Sequence, residues 1–379
     1  MLSLELLPAA HGDSIWIEYG SATKPKRVLI DGGPAHTYAN GLRRRIAAVP
    51  ESERVFELLV VSHIDADHID GSLILLQELA ALKVSVREVW FNAWAQLPKT
   101  DRDTFAPLQG EFLGGLINVD AKLRKAWNSS FDGAAAMVPE QGSLPEVTLG
   151  GDMKLTLLGP TFKDLRRLRS RWASAIRAFS PGDTAEALRR LAERRDYRPP
   201  ATPAVFAGQV FGDDRAPANG SSISFVLEHD GVSLLLAADS HARTLAESLA
   251  RLRQQRDTPK IRFDAIKLPH HGSMSNVSAA WLDQVETDRW LISTNGAAFG
   301  HPDVKTAELI AQHAPKPRLL CNYRCPTTEQ LTARADGRWT TLMPGAGVDE
   351  GPVGGLRLVW DRGSAAPSRK ASRKQRKPS

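Results

Sequence analysis

Short apolar runs alternate with segments of helical spacing along most of this chain. Residues 2–7, 14–19, 27–31 and 57–61 are apolar, β-prone runs bounded by polar turns, the pattern of buried strands. Residues 40–51 place Leu42, Ile46 and Val49 on one face. Residues 69–83 do the same with Leu73, Leu76 and Leu79, the period of an amphipathic helix. A strand follows at 84–91. Glycines and polar turns interrupt 98–150, which predicts one or two helices with loops, one of them near 121–127. Residues 153–158 read as another strand.

The pattern then changes. Residues 162–179 and 184–195 predict two Arg-rich helices joined by Ser180-Pro181-Gly182. Leu165, Leu168, Trp172, Ile176 and Phe179 form one packed face. Pro199-Pro200 and a Pro/Ala/Gly stretch lead out to about Ala218. We read 161–218 as an insertion or lid within a single domain spanning 1–362. Strands return at 222–228 and 232–237, then a helix at 242–253, a strand at 265–268 and a helix at 277–285. A strand at 290–293, a helix at 303–313 and strands near 318–323, 339–342 and 356–360 complete the body. Strands alternating with helices predict an α/β fold.

Composition adds bounds to this picture. With 379 residues and 42% apolar content, the chain can bury a large core. No apolar run approaches the ~20 residues needed to span a bilayer. The first residues carry Glu5 and no basic segment, which argues against a signal peptide and predicts a cytoplasmic protein. Cys321 and Cys325 stand as a lone pair four apart and read as ordinary thiols.

Charge is unevenly spread. Residues 163–198 hold eleven basic and five acidic residues, and 368–379 hold six basic and none acidic. These two segments each carry +6, so the rest of the chain, at a total of +6, is mildly acidic at −6. The tail 363–379 lacks apolar residues and is expected to be disordered. Arginines of the insertion read first as a solvated helix surface and second as a basic wall for a phosphate-rich partner.

One stretch concentrates chemistry. The strand at 57–61 runs into Ser62-His63-Ile64-Asp65-Ala66-Asp67-His68-Ile69-Asp70-Gly71. If the chain stays extended, His63, Asp65 and Asp67 point to one side. A turn at Asp67-His68 brings His68 to the same place. Imidazole and carboxylate together suit zinc, manganese or iron better than calcium or magnesium.

This His-x-Asp-x-Asp-His spacing resembles the first motif of the metallo-β-lactamase superfamily. The Asp65 form resembles the branch that includes the hydrolase domain of the competence DNA-uptake channel ComEC. Later segments are similar to the same branch in order. They are Asn219-Gly220-Ser221-Ser222, Leu234 to Asp239 with Ala238 where the family has Gly, Lys267-Leu268-Pro269-His270-His271-Gly272-Ser273, and Asn295 through Gly300-His301-Pro302. The opening segments His11-Gly12-Asp13 and Asp31-Gly32-Gly33 also match.

The resemblance implies an αββα sandwich of two mixed sheets with outer helices, plus the helical insertion. It implies two divalent ions, zinc or manganese. One would be held by His63, Asp65 and His270 or His271, the other by Asp67, His68 and His301, with Asp239 bridging. Asp67 and Asp239 would be catalytic. Asp13, Asp31, Lys267, Ser273 and Asn295 would support the metal site or orient substrate. No histidine lies between His68 and His229, where the superfamily has a ligand, which favours the His270-His271 pair. His241 is a lesser candidate, His229 is expected in an exposed hairpin turn, His11 reads equally as a turn or pocket residue, and His36 and His313 have no motif around them.

The implied activity is a metal-dependent hydrolase of phosphodiesters, a nuclease acting on nucleic acid or nucleotides. Nucleic acid would be contacted through the basic insertion and tail. The alternatives are an ester, thioester or lactam hydrolase with the same site, or a latent hydrolase or binding module released by a regulatory protein partner or by proteolysis.

Overall fold

Fifteen strands hydrogen-bond into a single mixed sheet in this computed structural model, which describes residues 1–98, 108–175, 179–199 and 217–361. Its N-terminal half runs in the order Val89–Trp90, Leu58–Val60, Pro25–Ile30, Ile15–Gly20, Leu2–Leu6, Gly354–Trp360 and Gly347–Gly351. Its C-terminal half continues with Thr340–Pro344, Arg318–Cys321, Arg289–Ile292, Ala265–Lys267, Val232–Leu236, Ser224–His229, Met153–Gly159 and Glu146–Leu149. The two expected sheets are therefore joined. The junction is short: Met343 pairs with Gly347 and Pro344 with Val348.

Across that junction the halves fold onto each other. Leu2, Leu4, Leu6, Ile15, Ile17, Val28, Ile30, Leu58 and Val60 share one core cluster with Leu155, Leu157, Phe225, Leu227, Leu234, Leu236, Ile266 and Leu268. The alternate residues of the first half face the other way. Trp16, Leu29, Leu59 and Val61 pack with Leu42 and Ile46 of helix Leu42–Ala47 and with Ile69, Leu73 and Leu76 of helix Ala66–Glu78. Leu245, Leu249 and Leu252 of helix Ala242–Gln255 and Ile310 of helix Val304–His313 join the core of the second half. Both faces of the sheet are thus covered, which is why its strands read as nearly unbroken apolar runs.

The buried exceptions are paired. Glu5, fully buried on the first strand, accepts from Arg45 Nε at 2.7 Å and Nη2 at 3.0 Å, and the Arg45 guanidinium lies 4.3 Å over the Trp16 ring.

Several sequence expectations shift. The helix expected at 69–83 begins at Ala66, inside the motif. The one or two helices expected within 98–150 are Leu108–Val119 and Ala121–Ala126, the first not placed from sequence because Gly110, Gly114 and Gly115 lower its helical propensity, and helix Pro326–Ala333 was not read as an element. The glycines serve packing: a Cβ at Gly110 would lie 2.5 Å from the Trp172 ring. Helices Phe162–Ala175 and Thr184–Glu193 of the expected insertion place Leu165, Leu168, Trp172, Ala187 and Leu191 in the second core cluster. Ile176, most of 199–218 and the tail 363–379 lie outside the described residues. Among the described residues no helix is long and apolar enough to cross a membrane.

Candidate metal centre

The motif residues gather where parallel strands of the two halves end, the side of an α/β sheet where ligands bind. Beyond strand Leu58–Val60 the chain runs through Ser62 and His63. It turns at Asp65, which has φ −72° and ψ 142° and precedes the first helical residue, Ala66. Asp67 and His68 therefore project from the first turn of a helix rather than from an extended segment. A carboxylate in that turn complements the helix dipole.

Glycine makes the next contact possible. Gly71 N donates to Gly33 O and Gly32 N to His68 O, both at 2.8 Å. A Cβ at Gly71 would lie 2.1 Å from Gly32 O. This backbone-to-backbone approach brings Asp31, with φ +60°, under the motif.

From there the histidine tautomers follow by elimination. Asp31 accepts from Ser62 N at 2.7 Å, from Ser62 Oγ at 2.6 Å and from His68 Nδ1 at 2.8 Å. Ser62 Oγ, its hydrogen engaged by Asp31, is left to accept from His63 Nδ1 at 3.0 Å. Asn276 donates its amide to Asp239 O and Ser240 O, both at 3.1 Å, so its Oδ1 accepts from His270 Nδ1 at 2.9 Å. His271 Nδ1 donates to the Ser293 carbonyl at 2.8 Å. All four histidines thus have Nδ1 engaged as a donor. Their Nε2 atoms face away from those partners.

Those Nε2 atoms converge. Asp239 Oδ2 lies 3.9 Å from His63 Nε2, 3.5 Å from His68 Nε2, 3.9 Å from His270 Nε2 and 3.8 Å from His271 Nε2. Asp67 Oδ2 lies 3.4 Å from His271 Nε2 and 3.8 Å from His68 Nε2. Asp65 Oδ2 lies 3.5 Å from His63 Nε2. Two groups, His63 with His68 and Asp239, and Asp67 with His68 and His271, each bring their ligand atoms within 4.8 Å of one another.

The Asp239 and His270-His271 limb is conformationally constrained. Ala238, His270 and His271 take φ of +46°, +47° and +55°, a region that non-glycine residues occupy at a cost of about 1–2 kcal/mol each. His270 N donating to Ala238 O at 3.0 Å ties the two loops together. Such strain is tolerated where surrounding structure holds it, characteristically at functional sites.

The electrostatics suit a cation. Burial opposes ionisation of Asp67, but His68 and His271 outweigh it and hold the carboxyl at about 2. Asp239 is likewise held well below the usual range against its burial, chiefly by His68 and His271. Burial opposes charge on the imidazoles, yet Asp239 with Asp67 around His68, and Asp239 with Asp13 around His271, favour a positive charge there, the place that a metal cation would take in exchange for the proton. Lys267, fully buried, donates to Asp13 Oδ2 at 2.7 Å, and Asp13 Oδ1 lies 3.5 Å from His271 Nδ1.

The donor set fits divalent metal. His63 Nε2, His68 Nε2, His271 Nε2 and Asp239 Oδ1 are buried without a hydrogen-bond partner. Unpaired buried polar atoms carry a desolvation penalty that a coordinated cation removes. Imidazole nitrogen with carboxylate oxygen is the donor chemistry of zinc, manganese and iron.

No family model matches the chain. No curated protein matches it significantly. Among solved structures it is similar to the metallo-beta-lactamase fold protein YhfI from Bacillus subtilis, with a TM-score of 0.40 and 10% identity, covering 94% of this chain and 98% of that one. It is also similar to CmlA, a diiron beta-hydroxylase from Streptomyces venezuelae. That TM-score is 0.38 and the identity 12%, covering 94% of this chain and 53% of that one. Similarities this weak establish neither fold nor activity.

The remaining candidates fall in several places. His301 does not join Asp67 and His68. Its ring lies 5.3 Å from that of His270 and its Nδ1 is 3.5 Å from Asp303, while His271 stands beside Asp67 and His68. Ser273 Oγ bonds Ser275 Oγ at 2.8 Å, a turn contact, and Asn295 Oδ1 accepts from Ala297 N at 3.1 Å within its own loop. His229 is buried rather than exposed, edge-on to Tyr19. His241 precedes helix Ala242–Gln255 and abuts Gly220, and His313 bonds Asp283. His11 sits close enough to Asp67, His68 and His271 to feel their charge. Sequence reasoning missed Ser62, Asn276 and the Ser293 carbonyl. Ser62 was legible as a motif neighbour. Asn276 carried no signal, because its role depends on three loops meeting.

Proposed function

We propose that this chain is a metal-dependent hydrolase of the metallo-β-lactamase superfamily that cleaves phosphodiesters of nucleic acid or nucleotides. The observation that carries the metal-dependent part is the convergence of four Nδ1-anchored histidines on Asp239. The motif order supports the superfamily, and its ComEC-like form supports a phosphodiester substrate.

We assign His63, Asp65 and His270 to one divalent ion, Asp67, His68 and His271 to the other, and Asp239 to both. The pair would supply Lewis-acid polarisation and a lowered water pKa at the attacked phosphorus. The second carboxylate, Asp65, hardens the donor set and tilts it toward manganese over zinc. Hydrolysis adds one water across one P–O bond, giving a phosphomonoester and an alcohol. Asp67 and Asp239, both held ionised, would hold the ions and orient that water, whose proton ends on the leaving alkoxide. Ser62, Asp31, Asn276 and the Ser293 carbonyl hold the imidazoles in the required tautomer, and Lys267 through Asp13 steadies His271.

The test is hydrolysis of bis-p-nitrophenyl phosphate and of single- and double-stranded DNA with manganese or zinc. Turnover that falls at least a hundredfold in Asp67→Ala, with the variant still unfolding cooperatively, is the expected result. Turnover of p-nitrophenyl acetate alone would replace the phosphodiester by an ester substrate. Absence of bound metal in the purified protein would overturn the reading.

A further inference from the structure

A cavity of about 330 Å³ is lined by Pro8, His36, Thr37, Asn40, Arg44 and Val353. His36 on helix Ala35–Tyr38, Asn40 on the turn that follows and Arg44 on helix Leu42–Ala47 all line it. Three consecutive arginines begin the second helix, and their fates differ. Arg43 pairs with Glu78 at 3.1 Å and Arg45 with Glu5 at 2.7 Å. Arg44, between them, is exposed and its guanidinium has no ion-pair partner among the described residues. It is the cationic group of this cavity.

A line of rings connects the cavity to the metal centre. His11 stacks on His36, with centroids 6.1 Å apart and planes 27° apart. Phe299 stands edge-on to His11 at 6.2 Å and lies 6.5 Å from His270 and 6.2 Å from His301. Phe299 is also one of the few large apolar side chains left exposed, at 39%. An exposed aromatic at the rim of a polar site offers a face to a planar group. The guanidinium offers bidentate donors to a phosphate.

We propose that this cavity is a distal anion subsite, in which Arg44, with His36 and Asn40, takes a second phosphate of the substrate while Phe299 and His11 flank the planar part between. The inference rests on the metallohydrolase reading for the location of the scissile bond, and on the cavity alone for its affinity for anions. It narrows the substrate class to diesters carrying a further phosphate, as a nucleic-acid strand does.

The experiment compares the thymidine dinucleotide with and without a 5′-phosphate, alongside bis-p-nitrophenyl phosphate. Arg44→Ala is expected to raise KM for the 5′-phosphorylated dinucleotide at least tenfold more than for the other two, with Arg44→Lys recovering part of the loss. Equal effects on all three substrates, or none on any, would overturn the subsite. Calorimetric binding of inorganic phosphate to the full chain after chelation, with no ion at the metal centre to compete for it, reads the cavity separately. The expected result is at least tenfold weaker binding in Arg44→Ala, and unchanged binding would overturn the proposal. Should the wild type turn over no diester at all, the hydrolase reading fails while the phosphate isotherm still decides the subsite.

Discussion

Lys267 and Asp13 show what a single buried residue does here. Both are out of contact with water, and they bond at 2.7 Å. Burial alone would raise the Asp13 carboxyl, but Lys267, then His271, hold it well below its ordinary value of 3.8. A depressed carboxyl contributes stability that is complete above its unfolded value and is lost as pH falls toward its folded one. Asp13→Asn strands the Lys267 charge, which costs about 3–5 kcal/mol when one partner of a buried pair is removed. In urea unfolding that penalty should be full at pH 7. It should shrink by about 1.4 kcal/mol for each pH unit below the ordinary value of 3.8. A penalty that does not vary with pH would mean that Asp13 acts by packing alone. His63, Asp67 and His68 were legible as metal-type residues because they crowd one short segment after a strand. Asp13 and Lys267 lie 254 positions apart, and no local pattern reports their pairing.

At the scale of elements, the question is whether the Arg-rich helices form a lid or part of the body. Trp172 is fully buried, donates its Nε1 to Glu111 at 3.1 Å and fills the space that Gly110 leaves open. Glu111 also accepts from Gly182 N at 2.8 Å, fastening the turn between the two helices. Several arginines of the segment are engaged locally. Arg189 and Arg190 pair with Glu186, Arg194 pairs with Asp196, and Arg169 donates to the carbonyls of Trp94 and Leu97. These helices are packed as core. Trp172→Ala should lower stability by about 3–5 kcal/mol, read as a fall in Tm. A loss below about 1 kcal/mol would instead describe a lid resting on a body that is stable without it. Amphipathic spacing revealed this face from sequence. The bounds of its partner, the glycine-bearing helix Leu108–Val119, were not legible because its propensity is weak and packing against Trp172 supplies what propensity lacks.

For the whole molecule, the candidate metal centre joins the two halves of the sheet. His63 and His68 come from the N-terminal half, Asp239 and the His270-His271 pair from the C-terminal half, and they meet around one carboxylate oxygen. Metal bound there stabilises the folded state by mass action, about 4 kcal/mol at a free concentration a thousand times its Kd. Elemental analysis should find two divalent ions per chain, and exhaustive chelation should lower Tm by several degrees, reversed by manganese or zinc. A Tm indifferent to chelation would separate the site from the fold.

The sequence by itself determined the apolar runs that become buried strands, the positions where they end, and the donor chemistry set at those ends. These are local properties, written in composition and period. Only the tertiary structure decided which donors meet. It placed His271 rather than His301 beside Asp67 and His68, seated Asn276 under His270, merged the expected two sheets into one through Met343 and Gly347, and left Arg44 unpaired between two paired arginines. Each of these depends on distances between segments far apart in the chain. Those distances are fixed by how the two halves pack, and no short stretch of sequence carries them.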